Sequence, residues 1–313
     1  MKPLVILTGP TAVGKTATSV ELAKRINGEI ISADSIQVYK YLDIGSAKVT
    51  SEEMEGVKHY LIDELMPDEN FDITIFKNKA VEYINSIYEK GKIPIIAGGT
   101  GFYIQSVLFD IQFEDAEADL KYRNELERIA ESKGPEHLHN LLRKIDPKSA
   151  EIIHYNNVKR VIRALEYYNK TGKPISEHNE EQKKNVSPYN FVYFVLNDDR
   201  DVLYDRINKR VDVMVEKGLF EEVKKLMDMG YDSSLNSMQG IGYKEVLEYY
   251  EGKCTKEETV EKIKLNTRHF AKRQLTWFRR EKSVTMIDLS EFSHDKEKVL
   301  SYMIELLHNK NII

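Results

Sequence analysis

Short apolar runs alternate with stretches of helical periodicity over the first third of the chain. Leu4-Val5-Ile6-Leu7 is continuous and partly β-branched, which predicts a buried strand. Residues 15–26 place Thr16, Val20, Ala23 and Ile26 at helical spacing with polar positions between them. Glu29-Ile30-Ile31-Ser32-Ala33 predicts a second strand. Asp72 is the expected cap of a helix over 73–89, which Gly91 stops. Ile93-Pro94-Ile95-Ile96-Ala97 predicts another buried strand. Strands alternating with helices give an α/β fold with a parallel sheet.

The pattern changes near residue 114. From there to 188 the chain is polar and strand-poor, with helices expected over 119–132, 135–145, 147–154 and 158–171. Phe191-Val192-Tyr193-Phe194-Val195-Leu196 then restores a strand. Helices over 201–217 and 220–229, a long helix over 256–280 and a last strand over 284–288 follow. The expected organisation is a P-loop NTPase-like core, 1–113 and 189–313, interrupted by an all-helical domain over 114–188.

The core carries one strong motif. Gly9-Pro10-Thr11-Ala12-Val13-Gly14-Lys15-Thr16 fits G-x-x-x-x-G-K-[ST] between a strand and a helix. Glycines let backbone N–H groups turn around a phosphate, and the helix N-terminus adds partial positive charge. Lys15 is a cation for the terminal phosphate, and Thr16 can hold Mg²⁺. The motif leaves the ligand open: ATP, GTP or another diphosphate. Asp34 closes the strand after this unit, where ligands bind in open α/β sheets. It is a candidate general base or metal ligand, or else a helix N-cap. His59 is expected to be structural. A hydrolytic P-loop protein usually places an acid at an apolar strand end to hold Mg²⁺. Here Gly98-Gly99-Thr100-Gly101 follows the strand, which favours a close-fitting acceptor pocket over a motor or switch.

Charge narrows the partners. Lys and Arg total 46 against 51 Asp and Glu, a net charge of -5, so the chain is not a uniformly basic nucleic-acid binder. Local basic patches remain. Lys159-Arg160-Val161-Ile162-Arg163 forms one on an expected helix, where a solvated face is the plain alternative. Residues 264–282 form another, with Lys264, Arg268, Lys272, Arg273, Arg279, Arg280 and Lys282 interleaved with His269, Phe270, Trp277 and Phe278. Such interleaving suits RNA, with aromatics mainly inward and charges outward. Arg206 and Arg210 are four apart on one helix face, ready to close over a diphosphate or to pair with nearby acids. The single cysteine, Cys254, excludes an internal disulfide framework and a cysteine-rich zinc site. No stretch approaches a membrane span and no leader pattern opens the chain, so a cytoplasmic location is expected.

The motifs GPTAVGKT at 9–16, DSIQVY at 34–39, GGTGFY at 98–103, KRVIRALE at 159–166, GIGYKE at 240–245 and RQLTWFR at 273–279 occur in this order. As a set they closely resemble the bacterial tRNA dimethylallyltransferases, the isopentenyl-tRNA transferase family. The resemblance implies transfer of a dimethylallyl group from dimethylallyl diphosphate to N6 of adenosine 37, beside the tRNA anticodon, with release of pyrophosphate. It implies that the P-loop holds the prenyl diphosphate rather than ATP, with Mg²⁺ on Thr16. Asp34 is then the base on the adenine amine, working with Lys15 and Thr100. Asp34, Ser35, Ile36, Gln37, Thr100, Arg123, Lys159, Arg160, Val161, Ile162 and Arg163 are the implied tRNA contacts. A monomer acting on the anticodon stem-loop, with no membrane partner, is expected. One departure stands out: the family's His-His pair before Leu-Ile-Asp is His59-Tyr60 here. Two other readings fit parts of the pattern, a P-loop small-molecule kinase with Asp34 as base and a P-loop protein that binds RNA without chemistry.

Overall fold

The computed structural model describes residues 1–113 and 120–313. Six strands form one sheet, all but the two-residue β3 carrying β-branched residues: β1 (Lys2–Thr8), β2 (Gly28–Ala33), β3 (His59–Tyr60), β4 (Ile93–Gly98), β5 (Tyr189–Asn197) and β6 (Val284–Asp288). Their order is β3-β2-β4-β1-β5-β6, and every neighbouring pair is parallel. Parallel sheets survive only when both faces are covered. Accordingly Leu4, Val5, Ile6 and Leu7 of β1 are completely buried.

The chain divides into two compact units, Met1–Leu108 with Pro188–Ile313, and Phe109–Ser187. The first carries the sheet with α1 (Lys15–Arg25), α2 (Ser51–Met54), α3 (Ile73–Glu89) and α4 (Gly101–Leu108). The second holds α5 (Leu120–Lys133), α6 (Pro135–Ile145), α7 (Pro147–Ile152), α8 (Val158–Thr171) and α9 (Ile175–Gln182). The chain then returns to the first with α10 (Arg200–Glu216), α11 (Leu219–Asp228), α12 (Tyr243–Tyr250), α13 (Lys256–Phe278) and α14 (Lys296–Asn309). Asp72 caps α3 as expected, accepting the N–H groups of Thr74 and Ile75 at 2.9 Å each. α2, β3, α9 and α14 lie outside the predicted elements. The boundary expected at 114 and the helix start expected at 119 fall outside the described residues.

The helical unit has its own core of Leu126, Leu138, Leu142, Val161, Ile162 and Leu165. Asp146 ties it together: its carboxylate caps α7 through Ser149 N–H at 2.9 Å and accepts the Ser176 hydroxyl of α9 at 2.7 Å.

Sheet order sets the site. β1 lies between β4 and β5, and β2 lies beyond β4. Register pairs Ala33 with Gly98, and Thr8 with both Gly98 and Val195. The loops that follow β2, β4, β1 and β5 therefore emerge side by side. They carry Asp34, Gly98-Gly99-Thr100, the P-loop and Asp198, at the end of the sheet where such folds bind ligands.

Candidate active site at the strand ends

The P-loop leaves β1 with Gly9 at φ 149°. A Cβ there would stand 2.4 Å from the Leu196 carbonyl oxygen of β5. Only glycine lets the loop pass that strand. Gly9→Ala should cost about 1–3 kcal/mol of stability and displace the loop. Thermal melts paired with pyrophosphate-binding titrations would check this; a wild-type melting temperature and affinity would contradict it. Ala12 is also left-handed, at φ 64°. α1 begins at Lys15, so its first N–H groups face the loop without intrahelical partners. Thr16 is exposed on that first turn.

Lys15 curls back over the loop and donates to the carbonyls of Gly9 at 3.0 Å and Pro10 at 2.8 Å. Burial, with the Arg210 cation nearby, pulls its pKa down to about 7, while Asp34 opposes the shift. Arg210 feels the same neighbourhood: burial lowers its pKa, and Asp34 and Glu53 act against that. Guanidinium stays charged regardless. Two cations and one carboxylate thus converge at the loop. Arg206 does not join them. It pairs with Asp198 at 2.7 Å, a fully buried carboxylate that also accepts from His294 at 2.9 Å. Of the two arginines expected at the diphosphate, Arg206 is thus engaged by this acid, while Arg210 is the one beside Lys15. The acid that claims Arg206 directly follows β5.

Asp34 does not cap a helix. Its Oδ1 accepts the N–H groups of Ile36 at 2.8 Å and Gln37 at 3.2 Å, forming a turn. This fixes the carboxylate plane without engaging Oδ2. Beside it, Thr100 N–H donates to Ala33 O at 3.2 Å, and Thr100 O starts α4 by accepting from Tyr103 at 3.0 Å. Ser35 is exposed, whereas Ile36 and Gln37 are half-buried. The Gln37 amide donates to Ser46 O at 3.3 Å and Ala47 O at 3.2 Å.

The loop that holds Gln37 is itself anchored by a residue absent from the predicted set. The Glu222 carboxylate accepts the N–H groups of Asp43 at 3.1 Å, Ile44 at 2.8 Å and Gly45 at 3.1 Å. It also accepts the Tyr243 hydroxyl at 2.8 Å. Lys48, buried, ties Tyr39 O to Asp43 and Asp63. The GIGYKE stretch thus contributes Tyr243 as a brace for the Asp34 turn.

Gln274, in RQLTWFR, is likewise absent from the predicted set. It is 6% exposed. Its Oε1 accepts Thr11 N–H at 2.9 Å and its Nε2 donates to Gly99 O at 3.0 Å. A Cβ on Gly99 would lie 2.1 Å from that Nε2, and one on Gly98 would lie 2.3 Å from Ala33 O. Close packing explains why glycines, not an acid, end β4. Along α13 the expected inward aromatics hold for Phe278, which is completely buried, while Lys272, Arg273, Arg279 and Arg280 are exposed. Lys264 and Arg268 are committed instead, to Asp212 at 2.7 Å and to Asn208 at 2.6 Å.

In the helical unit, Arg123 forms a bidentate pair with Glu166, both contacts at 2.8 Å. Lys159, Arg160 and Arg163 are exposed on α8. Val161 and Ile162 are 0% and 4% exposed. Their side chains are core, which corrects their expected contact with tRNA; a helix of period 3.6 turns them away from the basic face.

His59 is buried, its Nδ1 2.9 Å from Val57 O, and its role is structural. Tyr60 donates to Glu29 at 2.6 Å. Glu29 lies five residues before Asp34, about 16 Å along an extended strand. The departure at position 60 therefore lies away from the strand-end loops.

A family model described as IPP transferase matches residues 37–281. The chain belongs to the IPP transferase family. A tRNA dimethylallyltransferase of Lachnoclostridium phytofermentans is 58% identical over 313 residues, all of both chains. Among solved structures, the full-length tRNA isopentenylpyrophosphate transferase of Bacillus halodurans is 48% identical, with TM-score 0.75, over 99% of this chain and 98% of that one. A eukaryotic dimethylallyltransferase captured acting on tRNA is 31% identical, with TM-score 0.82, over 99% of this chain and 80% of that one. Membership covers GGTGFY, KRVIRALE, GIGYKE and RQLTWFR. The P-loop and Asp34 of this IPP transferase precede the model's match and lie within the full-length match to the Lachnoclostridium relative.

Proposed function

We propose that this chain is a tRNA prenyltransferase that moves a dimethylallyl group from dimethylallyl diphosphate to N6 of adenosine 37 beside the anticodon. The observation that carries the reading is Lys15 folded over the P-loop onto Gly9 O and Pro10 O, with Arg210 and Asp34 near enough to act on its charge. Two cations there face a diphosphate, and a carboxylate faces a proton donor.

The adenine amine is a weak nucleophile because its lone pair is delocalised into the ring. As N6 bonds to C1 of the prenyl group, C1 parts from the diphosphate oxygen, and the N6 proton passes to Asp34. Pyrophosphate departs with the bonding electron pair. The loop N–H groups, Lys15 and Arg210 stabilise it where charge develops. Thr100 stands beside Asp34 to orient the amine.

No group of three or more His, Cys, Asp or Glu that could hold a metal occurs among the described residues. A resident metal cage does not fit this site. A Mg²⁺ arriving with the diphosphate does: the Thr16 hydroxyl would hold it. When bound it neutralises charge on the departing pyrophosphate.

Among the described residues, no helix is long and apolar enough to cross a membrane. Adenosine 37 must leave its stack to reach the strand ends, at a cost of a few kcal/mol. Contacts from α8 and α13 offset it. Removing charge from Arg160 and Arg163 together should weaken tRNA binding and flatten the dependence of log K on log salt by about 1.5. Filter binding over a salt series reads the slope, and an unchanged slope would move both residues off the interface. The reaction itself is tested by pyrophosphate release. Release should require both dimethylallyl diphosphate and tRNA, and a transcript with guanosine at 37 should give none. Release from that transcript would contradict the reading.

A further inference from the structure

The P-loop and the Gly98-Gly99-Thr100 turn leave neighbouring strands and then part. β1 and β4 stay in register as far as Thr8 and Gly98, where the Thr8 hydroxyl donates to Gly98 O at 2.6 Å. Past that pair the P-loop bends against β5 at Gly9. The Gly99-Thr100 turn goes the other way, and Thr100 N–H returns to Ala33 O beside Asp34. Gln274 spans the divergence. Its Oε1 accepts Thr11 N–H at 2.9 Å, and its Nε2 donates to Gly99 O at 3.0 Å. A carboxylate cannot donate and an ammonium cannot accept, so an amide suits both ends of this bridge. Ala271, Gln274 and Phe278 lie on the buried face of α13, three and four residues apart. The bridge is therefore carried by a helix seated in the core, which holds a side chain more precisely than a loop does.

We propose that Gln274 is a positioning residue that fixes the P-loop against the turn carrying Thr100. This rests on the reading that the prenyl donor lies at the P-loop and the adenine amine at Asp34. Prenyl C1 and N6 then approach from different loops, and a misplacement of about 1 Å can cost ~10²-fold in rate. Lys15 and the loop N–H groups set the donor end. Asp34 and Thr100 set the acceptor end. The path Thr11, Gln274, Gly99, Thr100, Ala33 joins the two without passing through a reactant. Gln274 acts through the backbone at Thr11 and Gly99, so losing it leaves each end able to bind its own partner and changes the distance between them.

The test compares transfer with binding in the full chain. Gln274→Met keeps the length of the side chain and removes both hydrogen bonds. At saturating dimethylallyl diphosphate and tRNA, its single-turnover rate should fall by about 10–100-fold. Its affinities for pyrophosphate and for tRNA, measured separately, should stay near those of the unmodified protein. Gln274→Glu keeps the acceptor for Thr11 N–H and loses the donor to Gly99 O, so its rate should lie between the two. It carries the test alone if the methionine variant does not fold. An unchanged rate in a folded variant overturns the assignment. So does a loss of either affinity as large as the loss of rate, which is what a merely structural role would give. If the unmodified protein transfers no prenyl group at all, the donor and acceptor reading itself falls and this assignment with it.

Discussion

Asp34→Ala should retain tRNA binding and lose about 10²–10⁴-fold of the single-turnover transfer rate. The carboxylate is tied to its own turn through Oδ1 alone. Alanine removes the proton acceptor and also two N–H acceptances, so the turn loosens. Asp34→Asn separates the effects. Asparagine keeps an oxygen for Ile36 and Gln37 but cannot take a proton, and its rate should fall almost as far. Rapid-quench transfer under saturating donor, with tRNA affinity measured in parallel, reads both quantities. A near-normal rate in the asparagine variant would remove Asp34 as the base.

Lys15→Met should lower turnover by about 10²–10³-fold and weaken the donor. It should also change how binding responds to pH. In the free protein Lys15 titrates near 7. A bound diphosphate raises that value, because opposite charge favours the ammonium. Below pH 7 the lysine is protonated with or without ligand, and this group adds no pH dependence. Above it, binding must take up a proton, so donor affinity should fall by up to about tenfold per pH unit. The same depression acts on folding in the opposite direction. The unfolded lysine keeps its proton up to 10.5, so this group's contribution to stability rises between about pH 7 and 10.5. Calorimetric titrations at several pH values in buffers of different ionisation enthalpy read the proton uptake. Methionine should abolish the uptake; identical uptake in the variant would assign it elsewhere.

Much of this molecule is local and was legible as such. The strands, the P-loop, the Asp72 cap and the helices 135–145 and 158–171 follow from periodicity and capping residues next to one another in sequence. The glycines after β4 were readable as a missing acid, although their cause is steric and lies in Ala33 and Gln274. What stayed hidden depends on which distant segments the sheet order juxtaposes. Arg206 and Arg210 share a helix face, and only the position of Asp198 at the end of β5 separates their fates. Gln274 meets Thr11 across 263 residues, and Glu222 meets Ile44 across 178. Neither side chain carries a local signal. Gln274 sits inside RQLTWFR, but a glutamine on a basic helix predicts a solvated position, not a brace on the P-loop. Val161 and Ile162 went the other way: membership of a motif suggested contact with RNA, while helical periodicity already assigned them inward.

The central claim is that the P-loop holds a prenyl diphosphate and that the product is a modified adenosine. It is tested most directly by incubating the protein with Mg²⁺ and unmodified tRNA, adding either dimethylallyl diphosphate or ATP, and analysing the nucleosides by mass spectrometry. A prenylated adenosine that appears only with the prenyl donor is the predicted result. An unmodified tRNA with ATP consumed would contradict it and make the chain a kinase.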